Sequence, residues 1–322
     1  MTSVAALSVQ PAQPAVPQIL PSGREVTPCA QASTRRVVLE IESIGYLVPG
    51  TGFASRVHSV FAQACNLAGN DTLLTLCASR FGDGPATLRL ARGSPLDLRD
   101  WFDVGERILC LQGRARTRRV ELRLANACVW RPAEPGPSLP PSRTEAHLRQ
   151  AHLRLAQRRG TRASVIDGEG ASVAAALREA CRDLDCQQAA RHVDRLIGWG
   201  EGLTPAGDDF LVGLIAGLDA LVRSDKERHR FHHALAAMLT GRIRRTTPIA
   251  AHYLRLAAAG HYTEPLIRLR TALLCEDDGN VVDAALQSAL ALGATSGADT
   301  VSGLVAGLLA WLPPAASASP AR

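Results

Sequence analysis

The chain has 322 residues, 46% of them hydrophobic, with 36 Lys and Arg against 30 Asp and Glu and a formal net charge of +6. Its composition excludes a wholly disordered or collagen-like chain, and no apolar run approaches the roughly 20 residues of a membrane-spanning helix. At about 100–200 residues per domain, the length predicts two domains, each large enough to bury its own core.

In chain order, residues 1–34 are rich in Ala, Pro, Gln and Ser. They lack the positive start and uninterrupted apolar segment of a secretory signal, so a disordered tail is expected there. Short alternating or apolar runs follow at 37–41, 57–61, 73–77, 86–91, 107–111, 120–124 and 127–130, with glycine-containing turns between them. Over 35–131 they predict a small β-barrel or sandwich-like domain. A Pro-rich stretch, PAEPGPSLPP, marks a linker over 132–143. Beyond it, apolar residues recur at spacings of three and four through 144–158, 171–184, 187–197, 205–223, 226–243, 248–259, 264–274, 281–292 and 300–312. The prediction is an all-α domain of about eight or nine helices. A second disordered tail is expected over 313–322. The fold class is therefore α+β, a β-rich N-terminal part followed by a helical one.

The helical part repeats itself. Gly202 to Leu218 can be laid over Gly293 to Leu308, which pairs Asp209 with Asp299, Gly213 with Gly303 and Gly217 with Gly307. A glycine loop, an aspartate at a helix start and G-x-x-x-G have been used twice.

In the first copy Thr204 is the expected N-cap and Pro205 suits the first helical position. Gly198, Gly200, Gly202 and Gly207 allow a tight path ahead of a helix N-terminus, whose free N–H groups favour a phosphate or carboxylate. Asp208 and Asp209 would repel that anion unless a cation such as Mg²⁺ stands between. Acids in a first turn also suit the helix dipole by about 0.3–1 kcal/mol with no ligand at all. The G-x-x-x-G faces read as close helix packing. A second anion-compatible cluster is Arg244, Arg245, Thr246 and Thr247, ahead of the helix expected from Pro248, although its arginines also suit the end of the preceding helix. In the β-rich part His58, Ser59 and Asn66 are candidates to face a ligand at the domain junction, beside the blander role of a surface or core histidine.

Other chemistries are disfavoured. G-W-G-E-G follows a helical pattern where a dinucleotide fingerprint needs a strand, and no phosphate-binding G-x-x-x-x-G-K-[ST] is present. The triplet His229, His232 and His233 does not form H-E-x-x-H. The eight cysteines form no C-x-x-C and read as reduced thiols of a cytoplasmic protein. Lys226 is the only lysine, and aromatics are 4%. The dispersed arginines, including the run Arg114, Arg116, Arg118 and Arg119, therefore read as a solvated face with neither a nucleic-acid nor a membrane partner.

V-H-S-V-F from Val57, Asn66-Leu67, Gly84-Pro85, Trp130, G-x-G-L-T-P-x-G-D-D-F over Gly200 to Phe210, R-T-T over Arg245 to Thr247 and S-G-x-D-x-x-x-G over Ser296 to Gly303 together resemble the AllH family. The resemblance implies a subunit of oxamate carbamoyltransferase, a multi-subunit enzyme of allantoin breakdown that converts oxalurate and phosphate to oxamate and carbamoyl phosphate. It implies these small anions as ligands and the other carbamoyltransferase subunits as partners.

The expected site lies between the two parts. Asp208, Asp209 and Asp299 are its candidate catalytic acids, the first two also as Mg²⁺ ligands. Gly200, Gly202, Thr204 and Gly207 would cradle an oxyanion, with Arg245, Thr246 and Thr247 clamping a phosphate or carboxylate. His58, Asn66 and Ser296 complete the expected binding set. The alternative is a non-catalytic scaffold or small-anion-binding subunit of a multiprotein complex.

Overall fold

The computed structural model describes residues 36–69, 73–93, 97–157, 168–222 and 225–312. Both expected tails lie outside the described residues. The first half forms β1 (Val37–Gly45), β2 (Phe53–Val60), β3 (Ala64–Ala68), β4 (Leu73–Cys77), β5 (Thr87–Leu90), β6 (Arg107–Leu111), β7 (Arg114–Arg116), β8 (Val120–Arg123) and β9 (Cys128–Trp130). Eight of these run in the order β5-β4-β3-β2-β6-β7-β8-β1, and pairing of β1 with β5 (Ile41 opposite Leu90) closes the ring into a barrel. β1 is long enough to serve two parallel neighbours on one side, β8 through residues 37–40 and β9 through 43–45.

Alternation decides which side chains fill the barrel. Leu39, Ile41, Leu67, Leu76, Leu88, Ile108 and Leu122 are buried in one cluster. Arg114 and Arg116, flanking the buried Ala115 on β7, point outward to Glu121, and Arg118 and Arg119 pair with Asp103. Beyond the expected run at 57–61, the stretch 56–67 forms a hairpin, with Phe61 N–H donating to Ala64 O at 2.8 Å. Register slips between Val57 and Ser59, a bulge at His58.

Residues 131–140 adopt no regular structure, with Leu139 N–H donating to Leu274 O at 2.7 Å, and a helix starts at Pro141. Nine helices lie among the described residues: α1 (Pro141–Ala156), α2 (Gly168–Arg182), α3 (Cys186–Leu196), α4 (Ala206–Asp219), α5 (Lys226–Arg242), α6 (Pro248–Ala258), α7 (Glu264–Cys275), α8 (Gly279–Leu290) and α9 (Ser296–Trp311). Among the described residues, no helix is long and apolar enough to cross a membrane, and Cys65, Cys77, Cys110 and Cys181 are buried free thiols.

At the centre of the helical core, α4 and α9 touch backbone to backbone. A Cβ on Gly213 would stand 1.9 Å from Thr300 O, and one on Gly303 would stand 1.9 Å from Phe210 O. Gly217 meets Leu304 and Leu308 while Gly307 meets Leu214 and Leu218, so the helices run parallel and their N-termini lie side by side. The preceding helices repeat the pattern. Gly207 packs against Leu196 O at the end of α3, and Gly297 packs against Ala289 O near the end of α8. The doubled sequence is thus a doubled structure, helix–loop–helix used twice.

Barrel and helices have separate apolar cores, and polar contacts tie one to the other. Tyr46 Oη and His261 Nδ1 stand 2.9 Å apart. Asp83 and Glu264 exchange two bonds of 2.8 Å each, Asp83 N–H donating to the Glu264 carboxylate and Glu264 N–H to Asp83 O.

Candidate functional site

A cavity of ≈ 300 Å³ opens at this junction, at the small end of the range for ligand pockets. The barrel contributes Asn66 on β3, Thr75 and Cys77 on β4, and Asp83 and Thr87 beyond them. The helical half contributes Thr204 and Asp209 from the first copy of the repeat, Ser296 and Thr300 from the second, and Tyr253 on α6. Phe61, Leu203 and Gly293 line it and are exposed, so they mark its mouth.

The barrel wall is tied together by a relay of side chains. The bulge at His58 sets Ser59 opposite Asn66. Asn66 Nδ2 donates to Ser59 Oγ at 3.0 Å, and Thr75 Oγ1 donates to Asn66 Oδ1, also at 3.0 Å. Since Thr75 has spent its only proton, the Tyr253 hydroxyl 3.4 Å away is the donor in that last contact. Its oxygen lone pairs are left for the cavity. Burial raises the Tyr253 phenol above its usual range, so it stays protonated. The Cys77 thiol is pushed up to about 12, chiefly by burial, and is not a thiolate nucleophile. Asp83 is engaged by Ser43 and by Arg89 Nε at 3.0 Å.

On the helical wall, Thr204 and Ser296 join the two copies of the repeat, their hydroxyls 2.8 Å apart. Thr204 therefore does not cap α4. The helix begins one residue later, with Pro205 in the cap position, and Gly207 N–H is taken by Trp199 O at 2.9 Å. Asp209 is 8% exposed and its Oδ2 has no hydrogen-bond partner. Burial holds its carboxyl well above the usual range, against bonds from Ser296 and Thr204, and the neighbouring Asp299 and Asp208 add to the rise. Asp299 is fully buried at the equivalent place on α9.

The doubled acid divides its work. Asp208 Oδ1 accepts from Gly198 N–H at 3.0 Å and Oδ2 accepts from the Thr246 hydroxyl. Asp208 thereby pins the glycine loop to the R-T-T turn, where a Cβ on Gly198, at φ +73, would strike Arg245 O. Asp208 does not line the cavity, whereas Asp209 does. With both Asp208 oxygens occupied, the two acids present no shared set of metal donors. Among the described residues no group of three or more His, Cys, Asp or Glu is arranged to hold a metal ion.

Of the expected binding residues, Asn66, Thr204, Asp209 and Ser296 meet at the cavity. Gly200 and Gly202, both at positive φ, shape the loop behind it, and Gly207 is packed against α3. Thr247 caps α6 through Ala250 N–H at 3.1 Å and donates to Leu203 O. His58 reaches only Ser59, at 3.3 Å. Arg245 is turned to α3, where it holds the Asp194 carboxylate and donates to Asp194 O at 2.7 Å, with Arg242 on the same carboxylate. Sequence reasoning did not single out Thr75 or Tyr253. The only signal for Tyr253, one of three tyrosines in the chain, is its place on the helix that the R-T-T turn begins.

Two family models match the chain. One, described as the AllH family N-terminal domain, covers residues 37–129. The other, described as oxamate carbamoyltransferase subunit AllH, covers residues 196–308. Every cavity-lining residue named above falls within these two spans. No solved structure matches the chain.

Proposed function

The chain belongs to the AllH family, and from that premise we propose that it serves as a subunit of an oxamate carbamoyltransferase complex, binding the carbamoyl-bearing substrate in the barrel–helix cavity. The observation that carries this reading is the cavity itself, where both matched regions converge on one unpartnered, buried carboxyl oxygen, Asp209 Oδ2.

In the proposed reaction a phosphate oxygen attacks the ureido carbonyl carbon of oxalurate. A C–O bond forms, the C–N bond to the oxamate nitrogen breaks, and the proton of hydrogen phosphate is balanced by the one the oxamate nitrogen gains. The carboxyl of Asp209 suits the leaving nitrogen, because burial raises its pKa and so favours the form that carries a proton. Thr204 and Ser296 position that carboxyl. The expected surroundings, an allantoin pathway in the cytoplasm with the other transferase subunits as partners, follow from the same reading.

The test is reconstitution. The chain is expected to co-purify with the other carbamoyltransferase subunits, and the complex to form oxalurate from oxamate and carbamoyl phosphate at a rate at least tenfold above the same subunits without it. Full activity in its absence overturns the proposal. Wild-type assembly with full activity for Asp209→Asn would leave the scaffold role and remove the catalytic one.

A further inference from the structure

The net charge and the arginines of the R-T-T turn pointed to a bound anion, yet the cavity is built otherwise. Among the described residues, no Arg, Lys or His lines it. Of the nearby cations, Arg89 is engaged by Asp83 and Glu42, Arg245 and Arg242 by Asp194, and Arg80 lies over the Phe81 ring at the cavity wall. The parallel N-termini of α4 and α9 would themselves attract an anion, but each carries a buried aspartate in its first turn, Asp209 and Asp299. Those side chains occupy that end of each helix.

What the walls do offer is acceptors. Asp209 Oδ2 is buried and unpartnered. The Tyr253 hydroxyl, whose proton is directed at Thr75, lines the same wall as an acceptor. Asn66 has its amide locked by Ser59 and Thr75. Such a lining is complementary to N–H groups and leaves a carboxylate or phosphate oxygen facing other oxygens with no counter-charge, an arrangement that is expensive in a buried site.

We infer that the cavity takes the uncharged, N–H-bearing end of its ligand, an amide or ureido group whose N–H donates to Asp209 Oδ2, while the anionic end points out past Phe61 and Leu203. This deepens the reading above and rests on it in one respect, that the cavity is the substrate site. A phosphate must then be met by cationic groups outside the cavity lining, at the mouth or on another subunit of the complex.

A near-isosteric series tests this on the full chain. Oxamide, oxamate and oxalate differ only by stepwise replacement of NH₂ with O⁻, and inorganic phosphate and methylammonium serve as charged controls. Isothermal titration, or ligand-observed NMR for weak binders, is expected to rank oxamide and oxamate at least tenfold above oxalate, with phosphate and methylammonium weaker still. Asp209→Asn, which puts an N–H donor where Oδ2 accepts, is expected to weaken oxamide at least tenfold with no comparable loss for oxalate. Preference for oxalate, phosphate or methylammonium overturns the inference, as does failure of the amides to bind, whatever the variant does. The transferase reading stands or falls separately. An inactive reconstituted complex alongside an amide-selective chain removes the reading of function and keeps the amide site, and an active complex with an oxalate-selective chain does the reverse.

Discussion

The two copies of the helix–loop–helix unit share a backbone and differ in what their loops hold. In both, a glycine lets the second helix touch the end of the first (Gly207 on Leu196 O, Gly297 on Ala289 O), and two more glycines bring α4 and α9 into contact. In both, an aspartate sits in the first turn of the inner helix. Only the first copy carries a second acid, Asp208, where the other has Ala298, and only the first is tied through that acid to a glycine loop and to Thr246. Only Asp209 of the paired aspartates lines the cavity. What is shared is therefore packing, and what is unshared builds the site.

The sharpest way to break this comparison is at the shared glycines. Gly303→Ala and Gly213→Ala each place a methyl group 1.9 Å from a backbone oxygen of the facing helix. Neither backbone can yield without separating the helices, so each is expected to cost about 3 kcal/mol or more in urea unfolding. The two losses should be nearly equal, because the contacts are mirror copies. If one proved silent, the repeat would be a likeness of sequence only.

The unshared acid gives the next effect. Asp208→Ala removes the acceptor for Gly198 N–H and for the Thr246 hydroxyl, and is expected to cost about 1–3 kcal/mol. Thr246→Val should lose less, and the double variant should fall short of the sum, since both act on one tether.

The paired aspartates come third, and here the sign reverses. Asp209 is raised in the folded protein above its ordinary value of 3.8, so over the window from 3.8 up to the raised value the folded chain binds more protons than the unfolded one. Stability contributed by the neutral form is therefore lost as pH rises through that window. Asp208 and Asp299 are the acids that face it. Asp209→Asn is expected to melt higher than wild type near pH 7, to match it near pH 3, and to show a flatter melting profile between. Stabilisation together with weakened ligand binding is the signature of a group kept for function.

Smallest of all is Arg245→Ala. Arg245 and Asp194 are both about half exposed, and an ion pair of that kind contributes about 0–1 kcal/mol. Affinity for small ligands should stay within about twofold of wild type. A large loss of phosphate affinity would return Arg245 to the site.

Much of this site could be read from the residues and some of it could not. Asp209, Thr204, Ser296 and Asn66 stand out because polar groups beside helix starts or within a β-rich run are chemically conspicuous, and all four reach the cavity. Arg245 and Thr246 are equally conspicuous, yet they serve Asp194 and Asp208, because a local motif shows which groups can bind an anion and not which neighbours reach them first. Thr75 and Tyr253 carry no local signal. They lie 178 positions apart, and only the docking of α6 on β4 brings them together.

The barrel's runs and the helices' three-and-four spacing are local regularities, set by alternation and pitch, and the sequence by itself determined them along with the doubled glycine pattern. It did not resolve the hairpin between β2 and β3, where one bulge at His58 resets the register. The charge of the cavity lining was decided only by the tertiary structure. Net charge is a sum over the chain, whereas a cavity feels the few groups that line it, and folding paired many arginines with surface acids while none of the described ones lines the cavity.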